Sequence, residues 1–511
     1  MKHVFLKVAA VMLCLLMLCV GCAPSPAPEV PVETEATPTA TEAPAPGSAQ
    51  EKPAGQWDME VDLLVMGCGP AGISAAVEAV DNGCENVMII EKTAMIGGTS
   101  LMSEGILSGY ETQISKKYDV HITAQDCYDR MMMLSDYRND PELTWVTAEK
   151  CGETIDWLID VLHVPFVDEV VVNPTYGPMQ MIHNVQGKGS GFLEPFQNAI
   201  DSRGIKVLLE TPGRKLIAGE NGEVIGAIAT DKDGNDIRIK CKAVVLATGG
   251  FGNNTDLVGR LMPLYQGALP CAHVGATGDG LMMASELGAA VVNVDLFRGS
   301  LADYEIVNDY HVGGFPATIA YFMAGGGPIV VNKDGNRFTD EKQRKMNAFF
   351  SQMRKDGADY LWAINDQKVM DEIKPERAAG TTYTSAETLD ELAGIMGVPA
   401  ENLKATVERW NELCTKGVDE DFGRTALLNP IDTPPYYCVK TAPGSMGNYG
   451  GLLRNVNSEV LRVDGTPIPG LYVSGGTAAV ACENGWTMSH AFTYGRLAGR
   501  SSVEYMKTLA K

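Results

Sequence analysis

Nearly unbroken apolar runs recur along the chain at 61–66, 87–90 and 243–247. None leaves a regular polar face for water, so each reads as a strand buried on both sides, as in a parallel sheet. Between the first two lies 73–80, an Ala-rich stretch that reads as a helix and stops at Asn82-Gly83. Strand, helix and strand in that order predict an α/β, Rossmann-like domain. Two N-terminal stretches lie outside this pattern. Residues 8–20 are apolar but too short to span a bilayer. Residues 23–55 are rich in Pro, Thr, Glu and Ala and have no periodic apolar face, which predicts a solvated tether.

The turn between the first strand and the helix reads Gly67-Cys68-Gly69-Pro70-Ala71-Gly72. Gly67 permits the tight turn, Gly69 lets a pyrophosphate approach the backbone, and Gly72 lets helix and strand pack closely. The helix N-terminus adds unpaired N–H groups and a positive dipole end. Glu91 closes the second strand, followed by Lys92; an acidic side chain there can accept hydrogen bonds from ribose hydroxyls. Glycine turn, helix and carboxylate together predict a dinucleotide site.

Further glycine-rich pieces follow: Gly97-Gly98-Thr99-Ser100, Ala247-Thr248-Gly249-Gly250-Phe251 with Asn253-Asn254, Gly278-Asp279-Gly280, and Gly470 through Ser474 to Gly475-Gly476. In this order they resemble the FAD-dependent fumarate reductase/flavocytochrome c family, whose relatives include 3-ketosteroid dehydrogenases. The resemblance covers residues 57–511. It implies FAD in a split, Rossmann-like domain, 57–296 and 447–511, with an inserted α+β clamp domain, 297–446, over the flavin ring. It also implies that Thr99, Ser100 and Gly105 lie along the flavin and its ribityl chain, and that Asp279 reaches the ribityl or phosphate. Thr487, Met488 and Ser489 would open the last helix under the pyrimidine end of the ring.

In fumarate reductases two arginines and two histidines hold a dicarboxylate, and a third arginine, fed by a Glu–Arg relay, donates the proton. This chain departs from that set. The family's His-Pro-Thr is matched by Arg298-Gly299-Ser300-Leu301, and the relay by Tyr321-Phe322-Met323-Ala324. The second histidine falls at Met446 or Gly447, close to Tyr449, and one arginine falls near Cys482. Residues 332–341 match the strand–turn–strand that leads to the catalytic arginine, which puts Lys345 or the adjacent Arg344 forward as proton donor. Tyr321 is the other candidate acid. With Ser300, Met446 and Tyr449 near the substrate, an uncharged or aromatic enone, enoate or steroid-like molecule suits the pocket better than a small dianion. The implied reaction is hydride transfer from flavin N5 to an activated C=C bond. The same chemistry run backwards, as a desaturase, and a non-enzymatic electron relay stay open.

Charge and cysteines narrow the partners. A net charge of -23 argues against nucleic acid and anionic headgroups. No second dinucleotide fingerprint follows a strand, and there is no haem motif, so electrons are expected from a separate donor protein. The nine cysteines after Cys22 are scattered and never spaced Cys-x-x-Cys, so a disulfide framework is not expected; a reducing, anaerobic habitat suits them. The seven histidines show no paired metal spacing, and no metal is expected. Cys19-Val20-Gly21-Cys22 resembles a bacterial lipobox. Residues 1–22 then read as a lipoprotein signal peptide and 23–56 as the tether. Cys22 would carry the lipid and hold the enzyme on the extracytoplasmic face of the cell membrane.

Overall fold

Six strands assemble the central sheet: β1 (Leu63–Met66), β2 (Val87–Ile90), β3 (Lys206–Leu208), β4 (Ala243–Leu246), β5 (Glu459–Leu461) and β6 (Pro467–Val473). Their order is β5-β6-β4-β1-β2-β3, parallel except for the β5–β6 pair. Three apolar runs read from the sequence thus lie side by side at its centre. The computed structural model describes residues 56–509 apart from 120, 173–180, 310–326, 343–345, 374–380, 427 and 480–484. The described residues belong to one compact unit, Lys52–Lys511.

One sheet face carries two helices, α1 (Pro70–Asp81) and α2 (Trp486–Leu509). Leu63 and Val65 bury against Ile73 and Ala76 of α1 and Phe492 and Val503 of α2. The helices approach closely because Gly495 and Gly499 face α1: a Cβ there would come within 2.5 Å of Ala71 O and 2.3 Å of Ala75 O. Buried Glu78 ties them further, accepting from Arg496 Nε (2.6 Å) and Arg500 Nε (2.9 Å). Leu64, Met66, Val244 and Leu246 bury into a second cluster on the opposite face.

A second sheet is built on the long strand Tyr436–Asn448. It pairs with Leu361–Asp366, Phe297–Asp303, Thr384–Ala386 and Leu269–Pro270, and Leu361–Asp366 carries Ile329–Val331 at its other edge. The helix Ala400–Lys416 buries Leu403, Val407, Trp410 and Leu413 in a cluster with Ile329, Trp362 and Ile364 of this sheet. The turn expected at 332–341 is present, with Asn332 N–H donating to Asn336 O (3.0 Å). Its returning strand is reduced to one bridge, Val331 with Arg337. The chain turns inward there to bury Arg337 and Glu341 as a 2.8 Å ion pair.

His183 lies on the buried strand Met181–Val185. It is fully buried, and its Nε2 is 2.7 Å from Thr112 Oγ1. Burial pushes its pKa from 6.5 down to about 4. Between those values only the unfolded chain takes the proton, so this residue's contribution to stability falls as pH drops from 6.5 toward 4. His183→Gln should therefore remove up to roughly 2–3 kcal/mol of acid sensitivity. Urea midpoints at pH 7 and pH 4.5 measure it; an identical loss in both proteins contradicts it.

Candidate active site

The β1–α1 turn is locked against β4. Gly67 has φ +105° and a Cβ there would sit 2.3 Å from Ala247 O; one on Gly72 would sit 1.9 Å from Gly67 O. Only glycine fits either position. Gly69 caps α1 without a side chain, so the first N–H groups of the helix stay open toward the cleft in front of them. Gly67→Ala should weaken cofactor retention by roughly 2–3 kcal/mol, the cost of a side chain forced into this conformation and contact. Equilibrium dialysis of the cofactor measures it, and retention equal to the unaltered protein contradicts it.

That cleft runs past the β1–α1 turn and the ends of β2 and β4, the place in an open parallel sheet where a dinucleotide lies. Ten of its lining residues are glycine, so backbone rather than side chains forms much of the wall. Segments far apart in sequence meet there. Thr248 Oγ1 accepts from Gly280 N–H (3.1 Å) and lies 3.2 Å from Thr477 Oγ1. Lys92 Nζ reaches Asp279 at 2.7 Å and also bonds Thr277. Glu91, at the end of β2, accepts from Cys68 N–H (2.9 Å) and from Thr93 N–H and Oγ1 (2.8 Å each). It braces the glycine turn while lining the cleft.

Most residues singled out from the sequence converge on this cleft: Gly67, Gly69, Ala71, Glu91, Lys92, Gly98, Thr99, Ser100, Ala247, Thr248, Gly249, Asp279, Gly475, Thr487, Met488 and Met446 all line it. Others support it from behind. Gly72 packs under the turn, and Gly105 packs on Lys188, whose carbonyl carbon a Cβ would meet at 2.7 Å. Ser489 is turned away, donating to Ser108 O (2.7 Å). Ser300 pairs with Gly444 across the second sheet, and Tyr449 N–H donates to Leu296 O (3.1 Å); neither lines the cleft. Tyr321, Arg344 and Lys345 lie outside the described residues. Their described neighbour Lys342 is half-buried, and that partial loss of water, then the Arg424 charge, pull its pKa down to about 8.

Among the cleft residues that received no role from the sequence are His273, Arg298 and Asn448. His273 Nδ1 accepts from Gly275 N–H (3.0 Å), which leaves its proton on Nε2. Burial lowers its pKa and keeps it neutral. Its signal was its place just before Gly278-Asp279-Gly280. Asn448 Oδ1 accepts from Phe251 N–H (2.7 Å) and joins the second sheet to the β4 turn. Arg298, on the neighbouring strand, reaches the same cleft from the side of Met446 and Gly447.

Comparisons with known proteins agree with this geometry. Residues 62–488 match the model of an FAD binding domain. The chain is 29% identical over 461 residues to a fumarate reductase (cytochrome) of Shewanella frigidimarina, covering 88% of this chain and 78% of that one. It is 29% identical over 468 residues to a urocanate reductase of Eggerthella lenta, covering 87% and 75%. Among solved structures, the open conformation of a flavocytochrome c3 fumarate reductase superposes with a TM-score of 0.77 at 26% identity, covering 88% and 79%.

Proposed function

The chain belongs to the FAD binding domain family, and from that premise we propose that it reduces an activated C=C bond of a small organic acceptor other than fumarate. It is an FAD-dependent oxidoreductase. The observation that carries the reading is one continuous cleft with two unlike ends. One end is walled by glycine and opens on the α1 N-terminus; the other brings in Arg298, Met446 and Asn448 from the second sheet. The first end fits FAD: the cradle at Gly67 and Gly72 admits no Cβ. When bound, FAD supplies hydride chemistry at N5 of its ring system.

The chain's own residues do the rest. Gly69 and Ala71 present open N–H groups to the pyrophosphate, and Glu91 takes the ribose side. Thr487 and Met488, at the α2 N-terminus, set a positive dipole end beside the opposite part of the cleft. Residues of the second sheet cover the acceptor and exclude water, and an acid on that side gives the proton to the α-carbon. Lys345, Arg344 and Tyr321 are its candidates. The test is anaerobic turnover with reduced methyl viologen and a panel of enones and aryl acrylates. Failure to reduce any of them, or a protein that neither carries nor takes up FAD, contradicts the reading.

Electrons come from a separate donor protein, since one dinucleotide fingerprint is already used for FAD. The enzyme is exported and held by lipid on Cys22 at the extracytoplasmic face of the membrane. The lipobox-like Cys19-Val20-Gly21-Cys22 and the Pro-rich stretch after it support that placement. Cys22→Ala should release the protein from the membrane fraction; equal retention of both forms contradicts it.

A further inference from the structure

Where Phe297–Asp303 pairs with Tyr436–Asn448, Arg298 faces Gly447 and Gly299 faces Ser445. Met446 is therefore the extra residue of a β-bulge. A bulge turns a side chain out of the regular alternation of its strand. The bulged residue here is half-buried and lines the cleft. Its neighbours are pinned. Ser445 is buried, and its carbonyl accepts from Cys271 N–H (3.0 Å). A Cβ on Gly444 would come within 2.5 Å of Cys271 Sγ, so the strand is packed to contact just before the bulge. Two residues further on, Asn448 Oδ1 accepts from Phe251 N–H (2.7 Å). Beside Met446 there is room instead: a Cβ built at Gly447 meets nothing within 4 Å. The fold fixes the backbone on both sides and presents one adaptable side chain to the acceptor end of the cleft.

The chemistry of that side chain narrows what lies against it. Methionine is unbranched, with three rotatable bonds, so it settles against a ligand rather than dictating one outline. Its polarisable sulfur makes a favourable contact with an aromatic ring at about 5 Å, which an aliphatic group of equal size does not return. The apolar surface that Met446 leaves half-open is withdrawn from water when such a ring covers it. A flat ring also enters the glycine-bordered space at Gly447 more readily than a puckered one.

We infer that Met446 sets the acceptor specificity by seating an aromatic ring carried on the β-carbon, so that the preferred substrates are aryl-substituted alkenes. The inference rests on the reading that this cleft reduces a C=C bond, and it adds the group that stands beside that bond. In the assay two reduced viologens give two electrons and solvent gives two protons. The C=C bond becomes CH–CH, and the ring is unchanged.

The holoenzyme is assayed with reduced methyl viologen on trans alkenes carrying phenyl, cyclohexyl or methyl on the β-carbon. Each is supplied both as the 2-enoate and as the methyl enone, so the head group drops out of the comparison. In the unaltered enzyme the phenyl compounds should exceed the methyl ones roughly tenfold or more in kcat/KM, the scale of burying a ring. That order runs against intrinsic reactivity, because conjugation with the ring stabilises the alkene. Met446→Leu keeps the volume and removes the sulfur. It should lower the phenyl-to-cyclohexyl ratio roughly two- to tenfold, chiefly through KM, the scale of one sulfur–aromatic contact. Damage to folding or to cofactor retention would instead lower all the compounds alike. Titrating oxidised holoenzyme with the phenyl enone, followed by flavin absorbance, should give a Kd that rises in Met446→Leu by the same factor. A phenyl-to-cyclohexyl ratio unchanged by the substitution, or methyl compounds preferred by the unaltered enzyme, overturns this inference and leaves the reductase reading standing. No turnover of any of these compounds overturns both.

Discussion

Fumarate should be reduced with roughly a thousandth of the efficiency of the best substrate, because two or three charge-assisted hydrogen bonds at about 1.5–3 kcal/mol each are missing. A dianion enclosed in a water-excluding site needs cations at both ends, since a charge buried without a partner costs several kcal/mol. Two cationic side chains line the cleft among the described residues, and Lys92 is already spent on Asp279 at 2.7 Å. Arg298 can hold one carboxylate. The second would face Met446, Gly447 and neutral His273. The comparison is kcat/KM for fumarate and for aryl acrylates under reduced viologen. Comparable values would mean that residues outside the described set supply the missing cations.

Arg424→Met should cost roughly 3–5 kcal/mol of folding stability, the price of breaking a buried ionic cluster from one side. Arg424 is fully buried and donates to Pro328 O (2.9 Å), Gly327 O (3.1 Å), Ala426 O (3.0 Å) and Glu341 Oε2 (3.1 Å). Glu341 is shared with Arg337 (2.8 Å), which also holds Asp419 (3.0 Å), and both guanidinium groups lie over the Trp410 ring. Methionine fills the volume but leaves the carbonyl groups unmet and one carboxylate half-paired. Lysine should recover only part, because one ammonium cannot reproduce the planar fork. Urea unfolding measures the loss, and a change below about 1 kcal/mol would show that the cluster is dispensable.

The cluster also marks where reading along the chain stops. From the sequence, residues 332–341 read as a strand–turn–strand, and Arg337 and Glu341 carry no sign of burial in their order. The partners that bury them, Asp419, Arg424 and Trp410, stand some seventy to ninety positions away. Local pattern cannot pair residues across that distance. The dinucleotide end of the cleft was legible for the opposite reason. The requirements at Gly67, Gly69 and Gly72 come from a turn, a helix start and a strand end within a few residues of one another, and steric exclusion of a Cβ leaves its mark as glycine.

By itself, then, the chain determined its parallel strands, its α1 helix and its cofactor, because each rests on short-range periodicity or backbone room. Tertiary structure alone decided which side chains share the cleft. It brought His273, Arg298 and Asn448 in, turned Ser489 toward Ser108, and kept Ser300 and Tyr449 out. A strand shows its two faces by alternation, but which neighbour it meets, and where a bulge such as that at Arg298 re-aims a residue, is set by pairing with Tyr436–Asn448. The acceptor end of the site is built from such pairings, and so its charge became readable only once the sheets were assembled.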